Sequence, residues 1–178
     1  MASYYAIVVL SVLSFFIAAG HALDERVLQT TLYIKQTPAQ DQRTVGTDST
    51  AVIINWVIKD GPDAISNTIG HAEGLTIYAN QAQSFWVTIM DMVFEGGSLA
   101  GSTLKVMGLH GGMSSGPGQW SIMGGTGELT MARGIINYKI IQEDSTSRTF
   151  EICISAYYTT NNTIPFLKLV VKVVFLNA

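Results

Sequence analysis

A glycine-rich segment, residues 112–116, imitates a motif that carries enzyme chemistry. It reads Gly-Met-Ser-Ser-Gly, which has the spacing of the nucleophile elbow of serine hydrolases. That elbow needs a helix directly after the serine, whereas Pro117 and Gly118 follow here and prevent a helix from starting. The catalytic histidine should also follow the serine, but all three histidines of the chain precede it. The segment therefore does not predict a serine hydrolase.

The other candidates for chemistry are a second glycine-rich segment and a few side chains that can bind metals. Residues 124–127 read Gly-Gly-Thr-Gly, but they lack the ending of a phosphate-binding loop, and Glu128 would repel a phosphate. We predict a tight structural turn here, with a positive φ angle at one or more glycines. His71, His110 and Cys153 do not have the spacing of a metal site. We therefore predict neither a metal nor a cofactor.

The composition limits what the chain binds. Of its 178 residues, 48% are apolar and only 13% are charged, and the net charge is -3. The apolar share can build a core, and the lack of a basic excess argues against nucleic-acid binding. Low net charge with high hydrophobicity argues against intrinsic disorder. The single cysteine, Cys153, excludes an intrachain disulfide framework, and its strand-like surroundings predict a buried, unreactive thiol.

The amino terminus has the features of a secretory signal peptide. An apolar run covers residues 6–19, and Gly20-His21-Ala22 places small residues at the cleavage site. The run is shorter than the ~20 residues that span a bilayer, so a membrane anchor is the weaker alternative. We assign residues 1–22 to a signal peptide and residues 23–178 to one domain that is secreted and not membrane-bound. In a secreted chain, Asn161-Asn162-Thr163 predicts N-glycosylation of Asn161.

The rest of the chain has the pattern of an all-β domain. Short runs of β-branched and aromatic residues alternate with turn residues, and long amphipathic helical periods are absent. The predicted strands cover residues 30–36, 51–58, 68–79, 84–94, 102–109, 119–123, 135–142 and 149–158. About eight short strands predict an antiparallel barrel or sandwich, and a barrel removes exposed edges. A barrel of this size holds packed side chains or one small ligand.

Three segments of this pattern carry further expectations. Both alternating faces of residues 84–94 are largely apolar, which predicts a strand that is covered on both sides. Five glycines and a proline in residues 108–118 predict a mobile loop at one mouth of the barrel. Residues 165–175 are β-like but contain two lysines, so we expect an additional strand or a loosely packed extension.

Several segments resemble motifs of the plant dirigent proteins, in the order that the family has them. They are Gly70-His71-Ala72-Glu73-Gly74-Leu75, the hairpin at residues 94–104, and residues 123–134, which are similar to the signature GGTG-x-F-x-x-A-R-G. The turn Asp60-Gly61-Pro62-Asp63 also falls where the family often has one. The likeness covers residues 30–158. The lead-in Trp120-Ser121-Ile122-Met123 is similar to the cereal-type branch, here without a jacalin-like lectin domain.

The resemblance implies a fold, a location and a role. It implies an eight-stranded antiparallel β-barrel related to allene oxide cyclase, assembled as a homo-oligomer, either a dimer or a trimer. It implies secretion to the plant apoplast, and stereoselective coupling of phenoxy radicals in lignan-type phenylpropanoid biosynthesis and defence. The family has no redox centre, so a separate oxidase or laccase supplies the radicals. The implied protein is an auxiliary one that works without a cofactor.

The resemblance also indicates where ionisable groups of the pocket would lie. Lignan-forming members have a His-Asp pair on the first strand, where this chain has Lys35 and Gln36. Their acidic residue aligns with His110, and their arginine aligns near Gly118 or Gln119. A charge-assisted hydrogen bond contributes roughly 1.5–3 kcal/mol. Loss of these anchors predicts weak enantioselectivity with coniferyl alcohol and a different natural ligand.

Polar side chains at these positions can still hold a phenol. Of two tyrosines in lignan-forming members, Thr76 replaces one and Tyr78 keeps the other. We therefore predict Gln36, Tyr78 and His110 as the substrate-binding residues.

Two other functions stay open on the same barrel. One is a non-catalytic defence module that binds wall glycans or another small ligand. The other is an isomerase similar to allene oxide cyclase, which acts in plastids and is disfavoured by the secretory signal. Polar groups beside an aromatic-lined cavity would favour phenols. A filled barrel with exposed surface aromatics would favour wall binding.

The signal peptide gives a direct prediction. Cleavage after Ala22 follows from the small residues at Gly20 and Ala22. Amino-terminal sequencing of protein secreted from plant cells should begin at Leu23, and a retained Met1 would contradict the assignment.

Overall fold

The structure is a computed structural model that describes most of the predicted domain. It describes Tyr5, Leu10 and residues 25–37, 43–44, 51–80, 85–111 and 116–159. The predicted cleavage site, the sequon at Asn161 and the segment 165–175 lie outside these residues.

Eight long antiparallel strands and one short strand make up the fold. They are β1 (Glu25–Gln36), β2 (Arg43–Thr44), β3 (Ala51–Lys59), β4 (Thr68–Asn80), β5 (Phe85–Phe94), β6 (Thr103–Gly111), β7 (Gly118–Thr126), β8 (Arg133–Glu143) and β9 (Arg148–Thr159). The long strands pair in the order β1-β9-β8-β7-β6-β5-β4-β3, and β3 pairs back on β1. The sheet therefore closes into the predicted eight-stranded barrel. The two-residue β2 adds to β3.

Large aromatic side chains fill the middle of the barrel. Trp56, Trp120 and Phe150 are each 1% exposed, and burial of such a side chain contributes about 1.5–3 kcal/mol. Phe150 on β9 lies 6.1 Å, between ring centroids, from both Trp56 on β3 and Trp120 on β7. Tyr138 on β8 stacks on Trp120 at 4.3 Å. This cluster links four strands across the interior.

The outer face of β4, β5 and β6 differs from the sequence prediction. Ile89 on β5 is 45% exposed, and its cross-strand neighbours are Leu75 and Met107. The exposed apolar residues of these three strands are Leu75, Ile77, Phe85, Ile89, Met107 and Leu109. We call this set the apolar outer face. The prediction that β5 is covered on both sides is wrong for the single chain, because no described element packs against this face.

Two other sequence predictions need correction. Cys153 is exposed rather than buried, because it occupies an outward position of β9, opposite Thr31. The predicted loop at residues 108–118 is shorter, because β6 continues to Gly111 and β7 begins at Gly118. Gly108, the first glycine of that segment, lies within β6 and allows close packing against Trp120 of β7. A Cβ at Gly108 would lie 2.6 Å from Cδ1 of Trp120.

The turn predicted at residues 124–127 begins only at Gly127, because residues 124–126 are the end of β7. Gly127 has a φ angle of +65°, in the left-handed region that favours glycine. Gly125 is needed for a different reason, since a Cβ there would lie 2.2 Å from the carbonyl oxygen of Leu129. At Gly124 the nearest atom would be a side-chain carbon at 3.7 Å, which is an ordinary contact.

The neighbouring glycines provide a matched pair of substitutions. Gly125→Ala should lower the free energy of unfolding by about 1–3 kcal/mol, because the methyl group displaces the backbone of the turn. Gly124→Ala should leave it unchanged or raise it by up to about 1 kcal/mol. Equilibrium denaturation of both variants checks the difference. Equal stability of the two variants would show that the turn does not depend on the close approach at Gly125.

Candidate ligand-binding site at one end of the barrel

The predicted ligand-binding residues lie on strands that meet at one end of the barrel, which we call the upper end. Gln36 is the last residue of β1 and pairs with Arg148, the first residue of β9. Tyr78 lies near the end of β4 and pairs with Trp86 near the start of β5. All four occupy inward positions, since each lies two residues from a buried interior residue of its own strand.

An aromatic pair and a polar pair lie one above the other on β4 and β5. The rings of Tyr78 and Trp86 have centroids 4.8 Å apart and are tilted by 46°. Two residues deeper, the hydroxyl of Thr88 donates to that of Thr76 at 3.4 Å, and both side chains are buried. We call these two threonines the polar floor. The pocket position that Thr76 occupies in the sequence alignment therefore lies directly below Tyr78.

The third predicted residue, His110, lies in the same row of the sheet. Its backbone pairs with Trp86, which places residue 110 at the upper end of β6. Its side chain lies outside the described part of the structure. The backbones of Tyr78 and His110 thus flank that of Trp86 in the sheet. Gln36 lies at the same end of the barrel, but on β1 beside β9. Trp86 is the residue that sequence analysis missed in this row.

A second aromatic pair, Trp120 and Tyr138, continues the interior on β7 and β8. The Tyr138 hydroxyl donates to the carbonyl oxygen of Leu109 at 3.4 Å. Burial raises the pKa of Tyr138, so its phenol stays neutral at pH 7 and keeps its proton. The Trp120 Nε1 has no hydrogen-bond partner, and it is the one such buried side-chain nitrogen or oxygen among the described residues.

At the positions aligned with the charged pocket residues of lignan-forming members, the side chains that the structure describes supply no charge to the interior. Lys35 is exposed on the outward side of β1. A Cβ at Gly118 would lie 2.2 Å from the hydroxyl oxygen of Tyr138, so an arginine there would require Tyr138 to move. Gln119 is exposed and donates to the Asn137 side chain at 2.8 Å.

Charge reaches the upper end from a hairpin that no motif indicated. Arg148 is 8% exposed, and its Nε and Nη2 donate to Oε1 of Glu143 at 2.9 and 2.6 Å. The two residues pair directly across β8 and β9. The guanidinium lies over the ring of Phe150, with Cζ 5.8 Å from the centroid. An ion pair therefore lies beside the aromatic cluster, next to Gln36.

The turn before Arg148 is held by a carboxylate. Asp144 Oδ1 accepts hydrogen bonds from the Thr146 hydroxyl and backbone N–H, and from the Ser147 N–H, each at 2.7 Å. The bonds from Thr146 and then Ser147 lower the pKa of Asp144 to about 2. Asp144 therefore stays ionised, and keeps accepting these hydrogen bonds, until the pH falls toward that value.

Two other features are absent from the part of the chain that the structure describes. No group of three or more His, Cys, Asp and Glu side chains there lies close enough to hold a metal ion. No helix among the same residues has the length and apolar character to cross a membrane.

Comparison with known proteins identifies the family. The sequence profile of the family described as dirigent-like protein matches residues 14–157. The chain belongs to the dirigent-like protein family. The resemblance seen in the sequence motifs is thereby confirmed.

Named relatives of this dirigent-like protein match part of the chain. "Pterocarpan synthase 1" of Glycyrrhiza echinata is 31% identical over 97 residues, which are 54% of this chain and 52% of the relative. "Dirigent protein 11" of Arabidopsis thaliana is 27% identical over 120 residues, 62% of each chain. The chain therefore spans about half the length of the first relative and less than two thirds of the second.

A solved structure agrees with the fold. The pterocarpan synthase dirigent protein GePTS1 superposes with a TM-score of 0.70 over 79% of this chain and 89% of its own. The two sequences are 22% identical, so this likeness shows the shared barrel alone.

The Arg148–Glu143 pair gives a stability prediction. Glu143→Gln should lower the free energy of unfolding by about 1–3 kcal/mol, because the buried guanidinium loses its charged acceptor. The matched control is Glu151→Gln, which breaks an ion pair with the exposed Lys139 and should change stability little. Urea denaturation at pH 7 measures both. Equal losses in the two variants would contradict a special role for the Arg148 pair.

Proposed function

We propose that this protein binds flat phenols at the upper end of its barrel and orients phenoxy radicals so that they couple selectively. The observation that supports this most is the tilted Tyr78–Trp86 pair above buried hydroxyl groups. Aromatic walls hold a flat ring by burial, and a few polar groups fix its orientation. The names of the relatives, pterocarpan synthase and dirigent protein, also favour aromatic ligands.

Orientation alone is enough to direct such a reaction. When two phenoxy radicals couple, each supplies one electron to the new bond, so the protein need not act as acid or base in that step. A difference of ~1.4 kcal/mol between two approach faces gives about ten to one in product. A separate oxidase or laccase generates the radicals. We place the secreted protein in the plant apoplast, where the radicals and the barrel would meet.

Polar groups on two sides of the upper end would fix the ligand. Gln36, Tyr78 and His110 remain the predicted substrate-binding residues. Trp86 extends this set because its ring packs against that of Tyr78 in a tilted arrangement. Arg148 extends it on the β9 side because it pairs with Gln36 across the sheet. The charge of Arg148 comes from a different position than in lignan-forming members, so we expect a different geometry and a preferred phenol other than coniferyl alcohol.

Laccase-driven coupling tests the function. Coniferyl, sinapyl and p-coumaryl alcohols would be oxidised separately, with protein in excess over the radical flux, and the products resolved on a chiral column. At least one phenol should give a product ratio that differs from the protein-free reaction. Coniferyl alcohol should give only a small enantiomeric excess.

Two variants localise the effect. Trp86→Leu should abolish the altered product ratio, because it removes half of the aromatic pair. Tyr157→Leu is the matched control, since Tyr157 is an exposed aromatic on the outside of β9 and should not matter. Product ratios equal to the protein-free reaction for all three phenols would exclude the proposed function.

We also propose that the apolar outer face is the contact between copies of this protein in a homo-oligomer. Its six residues form one patch across three strands, and soluble monomers rarely expose large contiguous apolar patches. Light scattering should show a dimer or trimer that Ile89→Asp converts to monomer. Ile65→Asp is the control, because Ile65 lies alone in the β3–β4 connection and is 94% exposed. A monomeric wild-type protein would contradict this assembly.

A cleft on the outside of the barrel favours a second function, binding of wall glycans. It has a volume of about 300 Å³, and its lining includes Tyr33, Lys35, Lys59, Asp63 and Thr149. An aromatic ring among polar side chains is suited to the faces and hydroxyls of a sugar. Sedimentation with insoluble wall polysaccharide, with Tyr33→Ala as the variant, separates this function from phenol binding. Cosedimentation that survives Tyr33→Ala would exclude the cleft.

A further inference from the structure

One polar group in the barrel interior has no partner in the fold itself. Trp120 is 1% exposed, and its Nε1 is the buried side-chain nitrogen or oxygen that lacks a hydrogen bond in the described part of the chain. Buried donors are almost always satisfied in folded proteins, so an exception calls for a physical reason. Trp56 is equally buried and has the same indole group, but its Nε1 is not a buried atom without a hydrogen-bond partner.

The lack of a side chain at Gly108 leaves room for the Trp120 indole. Gly108 is the cross-strand neighbour of Trp120 on β6, and a Cβ there would lie 2.6 Å from Cδ1 of the indole. Nε1 is bonded to Cδ1, so the N–H edge lies on the side of the ring that faces Gly108. The next residue in this row, on β5, is Thr88 of the polar floor. The N–H therefore lies on the side of the interior where the floor is.

The indole is also held firmly in this orientation. Tyr138 covers one face of the ring with centroids 4.3 Å apart, and Phe150 lies at 6.1 Å. A donor that is fixed before the ligand arrives loses little freedom on binding. This rigidity suits a group that selects one orientation of a ligand.

The depth of the floor fits one aromatic ring. Thr88 lies two residues below Trp86, which is about 7 Å along a strand. A single ring beside the Tyr78–Trp86 pair would therefore bring a substituent oxygen to the level of the floor. The indole N–H is a donor only, so the ligand atom that meets it must be an acceptor.

We propose that Trp120 Nε1 donates a hydrogen bond to a ring oxygen of the bound phenol, and thereby makes the oxygen-bearing end of the ring enter the barrel first. This inference rests on the proposed function and adds a specificity-determining residue to it. The ligands are aromatic rings that carry a phenol or ether oxygen. A ring without such an oxygen leaves the buried donor unpaired and is bound without this preference.

The test compares two ligands that differ in ring oxygens. Coniferyl alcohol has a phenol and a methoxyl group, whereas cinnamyl alcohol has the same side chain and no ring oxygen. Calorimetry would measure the binding of both to wild-type protein and to Trp120→Phe, which keeps an aromatic ring but removes the donor. The affinity for coniferyl alcohol should fall about tenfold, equivalent to about 1.4 kcal/mol, and the affinity for cinnamyl alcohol should change less than about twofold.

The matched control is Trp56→Phe, since both tryptophans are buried in the same cluster and lie at the same distance from Phe150. This control should change the two affinities equally or not at all. If Trp120→Phe also affects both ligands equally, the inference is overturned and the proposed function stands. If coniferyl, sinapyl and p-coumaryl alcohols all fail to bind the wild-type protein, the proposed function itself fails.

A measurement on the wild-type protein keeps the proposal testable if the variant does not fold. The chain has three tryptophans, so the indole N–H signals of protein labelled with nitrogen-15 can be resolved by NMR. Coniferyl alcohol should shift the Trp120 proton downfield, as expected for a new hydrogen bond, whereas cinnamyl alcohol should not. The same shift with both ligands would refute the proposed contact.

Discussion

The pairing of β1 with β3 is the contact on which the rest of the structure depends. It joins strands that begin and end the sheet order, with Ile34 opposite Ile58. Without it the sheet would have two long open edges, and its apolar side would face water. With it, every second residue of each strand faces one shared interior. The upper end exists as a site only because this closure brings β1 and β9 opposite β4, β5 and β6.

The interior is divided between packing and polarity. Trp56, Phe150, Trp120 and Tyr138 form a dense aromatic cluster in the middle, which contributes much of the apolar burial. Above and beside it lie buried groups that do not favour folding by themselves, namely the threonine floor, the Arg148 guanidinium and the Trp120 N–H. Groups of this kind cost stability unless they are paired. Their presence near the Tyr78–Trp86 pair supports the proposal of a ligand site at this end.

Family membership fixes the barrel, but the side chains at its upper end decide the chemistry. At the position aligned with an arginine of lignan-forming members, Gly118 leaves room for the Tyr138 hydroxyl, and this chain has a charged pair on the β8–β9 hairpin instead. In this chain the charge at the upper end comes from the β8–β9 hairpin. Two proteins with the same fold can therefore hold the same kind of ring in different orientations.

Much of the fold could be predicted from the sequence alone, because strand alternation and turn glycines are local signals. The eight strands, the turn at Gly127 and the inward position of Tyr78 follow from residues that are neighbours in the chain. Alternation also places Cys153 on the outward face of β9, which it shares with Glu151 and Ser155, so the prediction of a buried thiol was wrong.

The other features depend on register between distant strands. Arg148 meets Gln36 across β9 and β1, and the Trp120 indole lies over Gly108, only because barrel closure sets which residues face each other. The apolar outer face is likewise exposed because no described element packs on it. The pattern of residues along a strand does not show whether another element covers that strand. A shift of one residue would send these side chains to the opposite face. The sequence by itself thus determined the strands and their turns, and the tertiary structure decided which side chains share the site.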